Sequence, residues 1–124
     1  MIINLRGRIP SKKNSKIMVC RGRFPILLPS KAHKEWNEAQ MWLLKGKTPP
    51  KPLEYVKIDI TLIAPDKRAT DLSNKAESIM DLLVDANYIK DDNWFCVPIL
   101  NLRFGGVDKE NCGAIVEITQ LENR

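Results

Sequence analysis

Residues 55–85, YVKIDITLIAPDKRATDLSNKAESIMDLLVD, decide the architecture, because two hydrophobic periods follow one another inside them. Val56, Ile58, Ile60 and Leu62 alternate with Lys57, Asp59, Thr61 and Ile63, the period of two that marks a strand with one face on a core. At Ala64-Pro65-Asp66 the strand ends and the period changes. Leu72, Ala76, Ile79, Met80 and Leu83 recur at steps of three and four, which puts an apolar stripe on one side of a helix and points that side into a sheet. Asp71 stands where an N-cap belongs. Asn74, Glu77 or Ser78, Asp81 and Asp85 fall on the polar side, where neighbouring carboxylates repel by a few tenths of a kcal/mol per pair and favour a balancing cation.

Working outward, Ile2 to Ile9 alternates loosely as a strand, and Pro10 to Ser15 is a polar loop. Lys16 to Cys20 and Arg23 to Leu28 flank Arg21-Gly22, the pattern of a basic hairpin. Ser30 is a suitable N-cap for a helix over Lys31 to Lys45, with Trp36, Ala39, Trp42 and Leu43 at helical spacing as core side chains rather than base-stacking platforms. Thr48-Pro49-Pro50-Lys51-Pro52 breaks that helix and is too short to separate domains. On the far side, Phe95 to Phe104 and Ala114 to Leu121 read as strands joined by a turn around Gly105-Gly106-Val107-Asp108. The order is that of a single α+β domain over residues 1–124 with two main helices.

Composition agrees with one modest core: 124 residues, 44% of them hydrophobic, with 8 Pro and 6 Gly. The start MIINLRGRIP has too short an apolar run for a signal peptide, and no segment has the apolar length of a membrane span, so a soluble, cytoplasmic protein is expected. Cys20, Cys96 and Cys112 lack paired spacing and read as free thiols rather than a disulfide framework or zinc site. His33, the only histidine, reads as a solvated surface residue, which leaves no triad centred on it.

Charge divides the chain. Residues 1–50 carry 11 Lys and Arg against Glu35 and Glu38, a balance of +9, whereas residues 51–124 balance at −4. Folded together, a cationic part and an acidic part could bring phosphates to a metal. The second acidic cluster, Asp91-Asp92-Asn93, precedes the largely apolar run Trp94 to Leu100 and is expected at the start of a strand, where side-chain directions are fixed. A few carboxylate oxygens from separate elements can hold magnesium and leave positions open for water and phosphate, the arrangement needed to hydrolyse a phosphodiester.

The run PDKRATDLSNKAESIMDLLVDANYIKDDN, together with the early PSKKNS, resembles the RusA family of Holliday-junction resolvases, small dimeric nucleases of bacteria and their phages. Asp71, Leu72, Asn74, Asp81, Leu83, Asp91 and Asp92 match that family's central motif, with the spacing from Asp71 to Asp92 preserved. The resemblance implies a mixed sheet packed against the helices, a homodimer, four-way junction DNA as substrate and Mg2+ at the cutting site, bound by Asp71 and Asp92. Two positions depart from the motif: Ser73 replaces the second Asp, and Glu77 stands where a Lys is usual. Glu77 lies one helical turn beyond Ser73 and can supply the missing carboxylate. The expected catalytic and metal-binding set is therefore Asp71, Glu77 and Asp92, with Asp91 as an alternate or supporting ligand. Lys12, Lys13, Lys16, Arg21 and Arg23 would hold flanking DNA backbone, and Lys12, Lys13 or Lys90 would replace the missing Lys. Two other classes compete with a resolvase: a branched-DNA binding module that has lost cutting, and a small RNA-binding α+β domain.

Overall fold

The strand that dominates the sequence also lies inside the sheet. A computed structural model describes residues 1–11, 16–21, 24–29 and 31–122. Its elements run β1 (Ile2–Arg6), β2 (Lys16–Arg21), β3 (Phe24–Pro29), α1 (Lys31–Leu44), β4 (Val56–Ala64), α2 (Leu72–Asp85), β5 (Ile99–Val107) and β6 (Gly113–Gln120). The main sheet has the order β1-β6-β4-β5. It is mixed: β4 pairs parallel with β5 and antiparallel with β6, which pairs antiparallel with β1. The α+β expectation is borne out. β2 and β3 form a separate antiparallel pair with Arg21 opposite Phe24, so the hairpin is present, while its turn at 22–23 and the proposed cap Ser30 lie outside the described residues.

One face of the sheet is buried. Ile3 and Leu5, Val56, Ile58, Ile60 and Leu62, and Ala114, Val116 and Ile118 all belong to the core, with the α2 side chains Ala76, Ile79, Met80, Leu82 and Leu83 and with Leu44 of α1. The α2 stripe is as read, widened by Leu82 and by Ser78, which is fully buried and donates to the Pro10 carbonyl at 2.6 Å. Fully burying one such aliphatic side chain contributes about 1.5–3 kcal/mol, so the packing of α2 and the sheet into this shared core carries much of the stability.

The C-terminus of α2 is closed by Asn87 at φ 63°, with Asn87 N–H donating to the Val84 carbonyl and Tyr88 N–H to the Leu83 carbonyl. These two bonds around a left-handed residue form a Schellman cap. Tyr88, next in line, is buried, and its hydroxyl donates to the Leu44 carbonyl at 3.2 Å, tying the end of α2 to the end of α1. Burial raises its pKa against the opposing effect of a hydrogen bond with Thr48.

Four expectations need correction. His33 is buried, on the α1 face shared with Asn37, Gln40 and Leu44. That face turns inward because Asn37 donates to the Asp85 carboxylate and Gln40 to the Arg6 carbonyl, both at 3.4 Å. In consequence Trp42 and Leu43 face solvent, with Trp42 74% exposed and its ring under the Lys45 ammonium, while Trp36 is partly buried against the core. Residues 95–98 are not strand, since the Asn93 side chain accepts from the backbone N–H groups of Phe95 and Cys96 and holds a turn there. The segment joining β5 to β6 is residues 108–112 rather than a turn at 105–108. It must cross the end of β4, where Asp108 N–H donates to the Ala64 carbonyl at 2.8 Å, because β6 inserts between β4 and β1.

Candidate active site

The site is built on the β4–α2–β5 unit, a parallel pair joined by a helix, where the strand ends face the start of the crossover helix. Crevices at that position are the usual ligand-binding places in open sheets with parallel strands. Asp71 occupies the N-cap position with extended backbone, φ −79° and ψ 130°, yet its carboxylate makes no capping hydrogen bond. Instead it accepts a 3.4 Å bond from the Asn74 amide. A carboxylate placed for capping but not used for it is available to a cation.

Glu77 is exposed in the second turn of α2, and Asp81 follows it by one further turn, partly buried. The second acidic cluster meets the helix at Asp81. Asp91 accepts from the Asp92 backbone N–H at 2.7 Å with one oxygen and from the Asn93 amide at 3.0 Å with the other, so it is committed to shaping its own loop. Asp92 is the member of that cluster with chemistry to spare. Burial, a hydrogen bond with Asp91 and the charges of Asp91 and Asp81 push its carboxyl above the ordinary value. Asp81 was outside the expected ligand set; the signal for it was the Ser73–Glu77–Asp81 spacing of four, which lines up one helix face.

Among the described residues, no three His, Cys, Asp or Glu side chains are gathered as a metal cage. The acidic groups form a strip: Asp71 at the start of α2, Glu77 between, and Asp81 with Asp91 and Asp92 beyond. Ten residues of helix separate Asp71 from Asp81, a rise of about 15 Å. The donors are all carboxylate oxygens and the Asp92 region is under like-charge stress, a combination that suits a hard divalent cation.

That stress has a testable sign. A carboxyl whose pKa is higher in the folded than in the unfolded state binds its proton more tightly when folded, so stability falls as pH rises from the unfolded to the folded value. Asp92→Asn is therefore expected to raise the metal-free Tm at pH 7 by about 1–2 °C and to lose that advantage near pH 3. Added Mg2+ should raise the wild-type Tm more than that of the variant. A lower Tm for the variant in metal-free buffer would remove the repulsion from the account.

The cations are placed as follows. Lys75 does not stay on the helix surface: its ammonium donates to the Ile9 carbonyl at 2.5 Å, and desolvation followed by the charge of Arg8 lowers its pKa. Together Lys75 and Ser78 clamp the Ile9–Pro10 segment onto α2, so the chain leading into the basic loop starts beside the acidic helix. Lys90 pairs with Glu54 at 3.4 Å. Lys12, Lys13 and Arg23 lie outside the described residues, and Lys16 and Arg21 are described only through their backbone pairing in β2.

Of PSKKNS, Pro10 is thus held against α2 by Ser78, and residues 12–15 lie outside the described residues. The chain is similar to a junction nuclease. It is 34% identical over 59 residues to the crossover junction endodeoxyribonuclease RusA of Aquifex aeolicus (strain VF5), a match covering 47% of this chain and 47% of that protein. The similarity therefore spans about half the length of the curated relative. No family model matches the chain. No helix among the described residues is long and apolar enough to cross a membrane.

Proposed function

We propose that this protein is a structure-specific endodeoxyribonuclease that cuts four-way DNA junctions with Mg2+. The observation that carries the proposal is the acidic strip on α2, with Asp92 near Asp81 and the Ile9–Pro10 segment clamped onto the same helix, in a chain similar to RusA. The cation would sit at the Asp92 end of the strip, held by Asp92 and Asp81 with Glu77 one turn away, while Asp71, about 15 Å along the helix from Asp81, would hold a second cation at the other end, and Asp91 would keep the loop in shape. When bound, Mg2+ supplies charge neutralisation at the phosphate and lowers the pKa of water. The chain's own part is to orient the DNA. Lys12, Lys13, Lys16, Arg21 and Arg23 would bind phosphates flanking the cut.

Cutting two opposed strands calls for two copies. β5 supports a homodimer, since it is a sheet edge whose first residues, Ile99 and Leu100, are exposed, with Trp94 and Phe95 exposed just before it. The apolar β3 segment Phe24–Leu28 is the other candidate. Titration of junction DNA is expected to saturate at two chains per junction. With roughly six phosphate contacts, log affinity should fall against log salt with a slope of about −5. A slope near zero, or equal affinity for linear duplex, would contradict the proposal.

Ser73 favours a second reading, a branched-DNA binding module without cutting activity, because it removes one carboxylate from the motif. The two readings share binding and differ in cleavage.

A further inference from the structure

A cavity of about 610 Å³ opens at the carboxyl ends of β4 and β5, against the first turn of α2. Its wall is apolar: Leu62 and Pro65 after the strand core, Leu72 from α2, and Phe104 and Val107 from β5. Phe104 pairs in register with Leu62 and so projects from the helix-covered face of the sheet, but it lies beyond that cover and is 60% exposed. Cations rim this wall. Arg8, Lys67, Arg68 and Lys75 line the cavity with Asp66 as the one acidic residue among its lining side chains. Asp66 is held by Arg8 at 2.7 Å and by the Arg68 backbone N–H at 2.9 Å, and these contacts lower its pKa. The rim is therefore net positive, and Thr70 and Leu72 place it next to Asp71.

An apolar slot with an exposed aromatic ring and a positive rim matches a group that is flat and weakly polar at one end and anionic at the other. Cavities of this size are typical of small-ligand sites. We infer that the cavity receives one unstacked nucleotide of the bound DNA, with its base against Phe104 and Val107 and its phosphate at Arg8 and Arg68. The inference rests on the junction-nuclease reading and deepens it. Unstacking costs least where a duplex is already interrupted, so a nucleotide at the branch point enters more readily than one inside linear DNA. Phe104 then selects for branched substrate and sets the scissile strand beside Asp71. A base stacked on an aromatic side chain is sequence-tolerant, because every base has a π face.

The test uses the full-length protein and synthetic four-way junctions carrying 2-aminopurine, one at a time, at the nucleotides around the branch. A several-fold rise in fluorescence on protein binding is expected at one of these nucleotides and at none in linear duplex. Phe104→Ala is expected to weaken junction binding about tenfold, and Phe104→Trp to restore it. An abasic site at the responding nucleotide should make wild type and Phe104→Ala bind equally. Unchanged junction affinity in Phe104→Ala, or a loss that persists on the abasic junction, overturns the pocket and leaves the nuclease reading intact. Weaker self-association of Phe104→Ala in sedimentation, with no fluorescence response, assigns the cavity wall to a second copy and also overturns it. Absence of any DNA binding by wild type overturns both proposals together.

Discussion

Asp92→Asn is expected to slow cleavage of a four-way junction by about 10³-fold or more while leaving junction affinity within about twofold, and Asp71→Asn is expected to behave alike. The magnitude follows from what a bound cation contributes, several kcal/mol of charge stabilisation as the phosphodiester breaks, with each 1.36 kcal/mol worth about tenfold in rate. Affinity survives because carboxylates do not hold phosphates, and removing one lessens repulsion of the DNA. Asparagine is close in size to aspartate, and the Asp92 loop is fixed by other bonds: Asp91 with the Asp92 N–H, and Asn93 with the N–H groups of Phe95 and Cys96. Single-turnover cleavage rates and equilibrium binding on the same junction separate the two quantities. Equal loss of both would make Asp92 or Asp71 a structural residue.

Gly113→Ala is expected to destabilise the fold by about 3–5 kcal/mol, a large share of the roughly 5–15 kcal/mol available to a domain of this kind. Gly113 opens β6, with φ +143°, and pairs with Arg6 of β1 and Ile63 of β4. A Cβ there would lie 1.9 Å from the Leu5 carbonyl oxygen and 2.9 Å from its carbon. Those atoms are backbone and cannot rotate away, so β1 would have to leave β6, and Ile3 and Leu5 would leave the core with it. Gly106→Ala is the matched control: its φ of +112° is also strained for alanine, but nothing lies within 4 Å of the added carbon. Strain alone costs about 1–3 kcal/mol. Chemical denaturation of both variants gives the comparison, and a midpoint for Gly113→Ala equal to that of Gly106→Ala would refute the clash.

Much of the frame was legible in residues 55–85 because there local pattern and tertiary role agree. The same alternation that makes β4 a strand puts Val56, Ile58, Ile60 and Leu62 in the core, and the three-and-four spacing of α2 buries Ala76, Ile79, Met80 and Leu83. α1 was legible as a helix but not by its face. Its apolar side chains suggested Trp42 and Leu43 for the interior, whereas hydrogen bonds from Asn37 to Asp85 and from Gln40 to the Arg6 carbonyl turn the polar side inward. Those partners lie 48 and 34 residues away, and no local period encodes them. Pairing partners were equally hidden: a run such as Ile99 to Val107 shows that it can be a strand, not that it lies parallel to β4 on the far side from β6.

For the candidate site, residue types could be read before geometry. Asp71 and Asp92 stood out by composition and motif, but only coordinates show that Asp71 leaves its capping role unfilled and that Asp91 is used up by its own loop. Asp81 was passed over because a single carboxylate on a polar helix face looks like ordinary solvated charge. Its effect on Asp92 becomes visible once the Schellman cap at Asn87 turns the chain back. That Lys75 binds the Ile9 carbonyl, 66 residues away, is likewise beyond any local pattern.

The central claim is that carboxylates along α2 and in the Asp92 loop work with a divalent cation on branched DNA. Incubation of the purified chain with an end-labelled four-way junction and with the matching linear duplex, each with and without Mg2+, tests it most directly. Paired cuts on opposed strands of the junction, only with Mg2+ and not in the duplex, are the expected result. Tight junction binding with no strand cut at any Mg2+ concentration would contradict the claim and leave a branched-DNA binding protein in its place.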